Sequence, residues 1–427
     1  LMNISMLGSF VKILTGPCAV GESDSVLACC SGGVDSMVLL DLLVRAAVPL
    51  GLRLGAVHVD HGIRGAASRS DARFVQRRCR EIGIACHVHR LSLGPETPNL
   101  EETARKRRYE AVRSCMADHG YGFAATGHTM DDQAETVIYR FIRGSGVRGL
   151  GGMEAKNPWN LIRPLLGFGR EQVETYAAQQ GISFVEDATN HDVKLARNLI
   201  RHEIIPAMKK INPLVVRSAC RLAAIAREEG NLVEDLAAAL QKASCEYDWG
   251  IVRAYRLYDL AKAQQPVTQR VVIRVLSDML DDPRGIDASQ VEGIMEVVKG
   301  EKRAHTVKRR IRAQRDSQSI TFCRAGRGPF YELPVDAPGT WMIEPLHQCA
   351  AIQAQDSGFQ GLTLRSLLPG DRIGRERAVR ILAEGGVAKA LRPFWPVLVS
   401  DGRIVSLPGV RDAWPEAGLK TEFPCHG

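Results

Sequence analysis

Val26-Leu-Ala-Cys-Cys-Ser-Gly-Gly-Val-Asp-Ser-Met-Val-Leu-Leu40 is the stretch from which the chain's fold is read. The apolar run Val26 to Cys30 has the length and content of a buried strand. Ser31-Gly32-Gly33 then makes a tight turn, and a helix opens at about Asp35, with Met37, Val38, Leu39, Leu42 and Leu43 as its apolar stripe. Two glycines let the backbone approach an anion without a Cβ clash, and the unpaired N–H groups of a helix start point at that anion. Ser31 and Ser36 add hydroxyl donors. Asp35 repels phosphate directly, so its natural task there is a Mg²⁺ carried by a nucleotide. Gly-Gly alone would be an ordinary strand-to-helix turn. The full set Ser31, Gly32, Gly33, Val34, Asp35, Ser36 after a buried strand reads as a phosphate cradle, and the absence of Gly-Lys-Ser/Thr excludes a Walker loop.

Outside this stretch, the bulk composition sets the limits. The chain has 427 residues, 45% hydrophobic and 24% charged, which is enough for two or three folded domains and rules out wholesale disorder. A formal net charge of +8 favours a polyanionic partner. No apolar run reaches the ~18 residues of a membrane helix. Residues 1–20 have no basic start and no cleavage pattern, so they read as a lead-in and the protein as cytoplasmic. The 11 cysteines include no Cys-x-x-Cys, which fits reduced thiols and argues against a paired-cysteine sulfur-transfer enzyme.

The next segments repeat the strand–helix alternation. A second strand ends in His58-Val-Asp60-His61, a helix runs from about Ala67 to Ile82, and a third strand covers Ala85–Arg90. The order βαβαβ implies an α/β fold with a doubly wound, mostly parallel sheet. Ligands in such sheets gather at the carboxyl ends of the strands, which is where His58, Asp60 and His61 fall. On the following helix Arg105 and Arg108 share a face. A fourth strand, Tyr121–Thr126, leads to Gly127-His128 and a helix on which Asp132 and Glu135, three apart, face the same way. Two carboxylates there either hold Mg²⁺, bind an ammonium group, or simply stabilise the helix start. Val137, Ile138, Phe141 and Ile142 form its expected apolar stripe. Arg143-Gly-Ser-Gly-Val-Arg148-Gly-Leu-Gly-Gly is glycine-rich and cationic, and it reads as a flexible loop for RNA backbone or for closing over a site. Arg197 and Arg201 lie one turn apart on a helix expected over residues 193–207, a basic face for an RNA phosphate.

These residues carry a resemblance. Ser31–Ser36 resembles the pyrophosphate loop of the ATP pyrophosphatases. His58-Val-Asp-His-Gly-Ile-Arg64, Glu101-x-x-Ala-Arg-x-x-Arg-Tyr109, Gly127-His-x-x-Asp-Asp-Gln-x-Glu135, Arg143-Gly-Ser-Gly, Arg163-Pro-Leu-Leu166 and Glu186-Asp-Ala-Thr-Asn with Arg197-Asn-Leu-Ile-Arg201 are together similar to the tRNA(Ile)-lysidine synthetase family. The resemblance runs in order through most of residues 26–206. Leu368-Pro-Gly-Asp-Arg372, Asp401-Gly-Arg-Ile-Val and Pro408-Gly409 extend it more loosely to the carboxyl-terminal part.

The resemblance implies an ATP- and Mg²⁺-dependent ligase. It would join L-lysine to C2 of the wobble cytidine of a CAU-anticodon tRNA(Ile) through an adenylylated cytidine, releasing AMP and pyrophosphate. Asp35, Asp132, Glu135 and His58 would be catalytic, Asp35 and Asp132 holding the metal. Ser31, Gly32, Gly33, Val34, Asp35, Ser36, Asp60, His61, Arg105, Gly127 and His128 would bind ATP. Arg108, Arg143, Arg148, Arg197 and Arg201 would meet tRNA. The expected domains are a catalytic domain at 1–212, a small helical domain at 213–325, and an α+β domain at 326–427, the last two contacting tRNA. Oligomeric state stays open between monomer and homodimer. The rival readings are another ATP pyrophosphatase, making 2-thiocytidine or transferring ammonia, and a noncatalytic tRNA module.

Overall fold

The computed structural model describes residues 2–60, 66–91, 100–185, 196–280, 286–308, 310–324, 331–346, 348–353, 361–387, 389, 391–412 and 420–423. They form two compact units, Leu1–Gly230 and Asn231–Gly427.

In the first unit the order is α1 (Met2–Thr15), β1 (Ser25–Cys29), α2 (Val34–Leu50), β2 (Arg53–Asp60), α3 (Ala66–Glu81), β3 (Ala85–Arg90), α4 (Leu100–His119), β4 (Phe123–Ala125), α5 (Met130–Ile142), α6 (Val147–Leu150), β5 (Leu161–Ile162), α7 (Arg170–Gln180), α8 (Ala196–Leu199), α9 (Ile205–Ile211) and α10 (Val215–Ser244), which runs past the division at Gly230. The five strands lie in the order β3-β2-β1-β4-β5 and all pair in parallel. The chain therefore winds outward from β1 to β3, then returns to start again at β4 on the other side of β1. Loops leaving neighbouring strands at such a reversal diverge to opposite faces and leave a crevice at the carboxyl edge. Ser31–Ser36 and Thr126–Asp132 are those two loops.

Alternation along β1 explains why both sheet faces are covered. Val26, Ala28 and Cys30 join one core with Leu39, Leu42 and Leu43 of α2, while Leu27 joins a second with Val57, Val112 and Cys115. The first residues are more than a lead-in. Phe10 and Leu14, one helical turn apart on α1, are fully buried in the α2-side core. On α5 the stripe is shorter than expected: Val137 and Ile138 are buried, but Phe141 is 70% and Ile142 59% exposed. The two-residue strand β5 is too short to show in the sequence pattern.

The second unit is less helical than expected near its start. Helices Leu257–Lys262, Gln265–Met279 and Ala288–Lys299 accompany a five-stranded antiparallel sheet, of which Cys245–Trp249 and Val252–Arg256 form one hairpin. Gly250 (φ 58°) supplies the left-handed turn between them. A second five-stranded antiparallel sheet uses Glu332–Val335, Leu362–Ser366, Pro396–Ser400, Arg403–Leu407 and Arg411–Asp412. Trp249 and Trp395 share a core with Phe423. Among the described residues no helix is long and apolar enough to cross a membrane.

Candidate functional site

The Ser31–Ser36 loop is shaped from within. Gly32 has φ 98°, a conformation that a side chain disfavours. Ser36 Oγ donates to the Gly33 carbonyl (2.8 Å) and accepts from the Gly32 N–H (3.2 Å), and Ser31 Oγ lies 3.2 Å from it. Gly33 precedes α2 without any side-chain cap. The first-turn N–H groups of α2 thus remain for an outside acceptor.

Gly127 closes the other wall. A Cβ there would stand 3.0 Å from the Asp35 carbonyl and 3.1 Å from the Ser36 nitrogen, so only glycine lets the two loops touch without a shift. Thr129 and Asp132 then cap α5 reciprocally: Asp132 Oδ2 accepts from the Thr129 N–H (2.8 Å) and hydroxyl (3.0 Å). The helix-start reading and the functional reading of Asp132 both hold, because its other oxygen is engaged elsewhere. Arg201 donates to Asp132 Oδ1 at 2.9 Å and to both oxygens of Glu135 at 2.5 and 3.1 Å. Instead of standing on an outward basic face, Arg201 is folded onto the two acids. A break in helical geometry accompanies this: Ile200–Ile204 is a π-helical turn between α8 and α9. Arg197 donates to the Thr136 hydroxyl at 3.3 Å.

The electrostatics follow from burial. Burial, then the neighbouring charge of Asp132, pushes Asp35 from 3.8 up to about 6. Its Oδ1 is buried and has no hydrogen-bond partner. Glu135 is also raised by burial, against the opposing hydrogen bonds of Arg201. Burial lowers His128 to about 4, with Arg163, Arg108 and Arg105 adding to it and Asp132 opposing. Its Nδ1 lies 2.8 Å from the Thr126 hydroxyl. His58 is buried, with Nδ1 2.9 Å from the Cys30 carbonyl. A carbonyl only accepts, so Nδ1 carries a proton and is the donor in this contact. Asp60 is buried at the end of β2.

Arg105 and Arg108 both lie against the Tyr109 ring, at 5.6 and 5.5 Å. Two arginines that residue patterns did not single out for the site join this cationic side. Arg163 is buried, donates to the Glu154 carbonyl and has an unpartnered Nε. Arg140 donates to the Gly149 and Gly152 carbonyls. With Gln133 on Met153 and Arg227 on Gly151, it pins the glycine-rich run that its composition presents as flexible. Arg143 and Arg148 are exposed on that run, Arg143 5.0 Å from the Tyr139 ring. His61 and Glu186–Asn190 lie outside the described residues.

The arrangement can do three things chemically. An anion fits the bare start of α2. A hard cation fits the unpartnered oxygen of Asp35, with Asp132 beside it once Arg201 yields an oxygen. A second cationic group fits the carboxylate pair that Arg201 now occupies.

A family model described as a PP-loop domain matches residues 9–208. The tRNA(Ile)-lysidine synthase of Azoarcus sp. (strain BH72) is 38% identical over 242 residues, 55% of this chain and 53% of that protein. That of Solibacter usitatus (strain Ellin6076) is 36% identical over 268 residues, 62% of this chain and 60% of that protein. The chain thus spans little more than half the length of these relatives. With the tRNA(Ile)-lysidine synthase of Symbiobacterium thermophilum the likeness is 31% over 450 aligned positions, 93% of this chain and 92% of that protein.

Proposed function

Given that the chain belongs to the tRNA(Ile)-lysidine synthase family, we propose that it joins L-lysine to C2 of the wobble cytidine of a CAU-anticodon tRNA(Ile), using ATP. The cytidine O2 attacks the α-phosphorus of ATP, and pyrophosphate leaves with the electrons of the broken P–O bond. The amine of lysine then attacks the activated C2, AMP departs with the oxygen, and the amine gives up its proton. The observation that carries this reading is one crevice holding both an uncapped helix start and a carboxylate pair closed around a guanidinium.

In the first step Ser31, Gly32, Gly33, Val34 and Ser36 receive the departing pyrophosphate through backbone and hydroxyl donors. Asp60, His61, Arg105, Gly127 and His128 would bind the rest of the nucleotide. His128 stays neutral at physiological pH, held down by burial and flanking arginines, so it hydrogen-bonds without adding charge. Asp35 and Asp132 would hold Mg²⁺, which when bound neutralises charge developing on the phosphates.

In the second step Asp132 and Glu135 exchange Arg201 for the ammonium of lysine, or take the proton of its attacking amine. His58, its ring oriented by the Cys30 carbonyl, is the other candidate to take that proton. Arg108, Arg143, Arg148 and Arg197, together with Arg201 once released, meet the tRNA backbone. The parts 213–325 and 326–427 contact the tRNA body, and the enzyme works in the cytoplasm.

Pyrophosphate release from ATP tests the reading, with L-lysine and unmodified CAU-anticodon tRNA(Ile) each omitted in turn. The expected result is release that requires the tRNA and labelled lysine entering the RNA. Release without lysine incorporation would discard the amine step. No release under any condition would leave a tRNA-binding protein with a silent nucleotide loop.

A further inference from the structure

We propose that His87, Cys115 and His119 form a binding site for a borderline-soft divalent cation of the Zn²⁺ type, separate from the nucleotide crevice. One ligand atom from each of the three lies within 4.8 Å of the other two. Cys115 and His119 are four apart on α4, so they face the same way one turn from each other. His87 comes to them from β3, and its ring stacks on that of His119 with centroids 3.9 Å apart. One thiolate and two imidazoles suit Zn²⁺ and its Co²⁺ surrogate and do not suit Mg²⁺, which takes oxygen. Three protein ligands leave a fourth tetrahedral position for water.

The surroundings brace the first ligand. The Tyr121 hydroxyl lies 3.4 Å from His87 Nε2, and Arg53 covers the Tyr121 ring at 4.5 Å. Gly55 makes room for that hydroxyl, which a Cβ at position 55 would strike. Outer partners of this kind fix the orientation of a metal-binding imidazole.

The position indicates what the cation does. His87 pairs with Val57, well before β2 reaches Asp60, and α4 ends at His119 just ahead of β4. The three residues therefore gather at the β3 margin of the sheet, His119 toward its amino edge and His87 mid-strand, level through Val57 with Cys29 at the end of β1. β3 is an edge strand with half-buried side chains. A bound ion would tie this strand to the end of α4 and hold the sheet margin closed.

The test uses the full chain, stripped with a chelator and titrated with Co²⁺. The expected result is one equivalent bound, with visible ligand-field absorption, a near-ultraviolet thiolate-to-cobalt band, and displacement by Zn²⁺. His119 is exposed, so His119→Ala folds, and it should weaken binding about tenfold or more. Cys115→Ser should remove the thiolate band, and Cys323→Ser in the other unit should leave the spectrum unchanged. Zn²⁺ should raise the melting midpoint of the wild type and not that of His119→Ala. A wild-type spectrum without the thiolate band, or unchanged affinity in His119→Ala, overturns the proposal.

Discussion

Replacing Asp35 with asparagine is expected to stabilise the Leu1–Gly230 unit at neutral pH while removing ATP-dependent activity. The native carboxyl is buried with Oδ1 unpartnered, and it is raised from 3.8 to about 6. For an acid raised on folding, stability is fully present below the unfolded value and is lost as pH climbs through the folded one. A rise of about two pKa units corresponds to about 3 kcal/mol. Wild type should therefore lose about 3 kcal/mol between about pH 4 and pH 7, a loss that Asp35→Asn lacks. Urea unfolding at several pH values gives the comparison. Hydrogen exchange of peptides from β1 and α2 separates this unit from the other, since two units need not unfold together. Mg²⁺ should narrow the gap by stabilising wild type alone. Parallel stability curves across the range, or a variant less stable than wild type near neutral pH, would refute a buried, uncompensated Asp35.

Four further outcomes follow from the same crevice. Arg201→Met leaves Glu135 buried beside an unpaired Asp132; it should cost about 3–5 kcal/mol in urea unfolding, with part recovered in acid as the carboxyls protonate. Gly127→Ala presses a methyl on the Asp35 backbone, so the KM for ATP should rise sharply while the melting point moves little. Arg143→Ala and Arg148→Ala should each weaken tRNA binding without altering tRNA-independent nucleotide binding, and each should lower the salt slope by about one. Thr129→Val removes the hydroxyl part of the α5 cap, worth about 1 kcal/mol, and leaves Asp132 Oδ2 with the position-129 N–H alone, so lysine incorporation should fall more than stability does.

The first unit was legible because its signals are local. The run Val26–Ser36 fixes a strand, a turn and a helix start within a few residues, and the alternation of elements to Arg90 then dictates the parallel sheet. The spacing of Asp132 and Glu135 placed both on one face, as found. What the pattern could not carry was tertiary. Nothing local says that Arg201 turns inward, because its partners are 66 and 69 residues away. Glycine content made residues 143–152 read as loose, whereas Arg140 and Arg227 hold carbonyls within that run and Gln133 holds Met153 at its end. Phe141 and Ile142 kept the helical period beyond the point where α5 leaves its core. The hairpin at Trp249–Val252 hid because Cys245–Arg256 mixes charged and apolar residues, with a bulge between Cys245 and Tyr247.

The contrast between the two helix starts reaches beyond chemistry. α5 carries its own terminator in Thr129 and Asp132, so its first turn is complete whatever the solution contains. α2 has none. The molecule that completes α2 must come from the medium, and an anion docked there becomes, in effect, a removable part of the polypeptide's own hydrogen-bond ladder. Under the proposed function that anion is a phosphate of ATP, so hydrogen exchange in the first turn of α2 should slow when nucleotide is added.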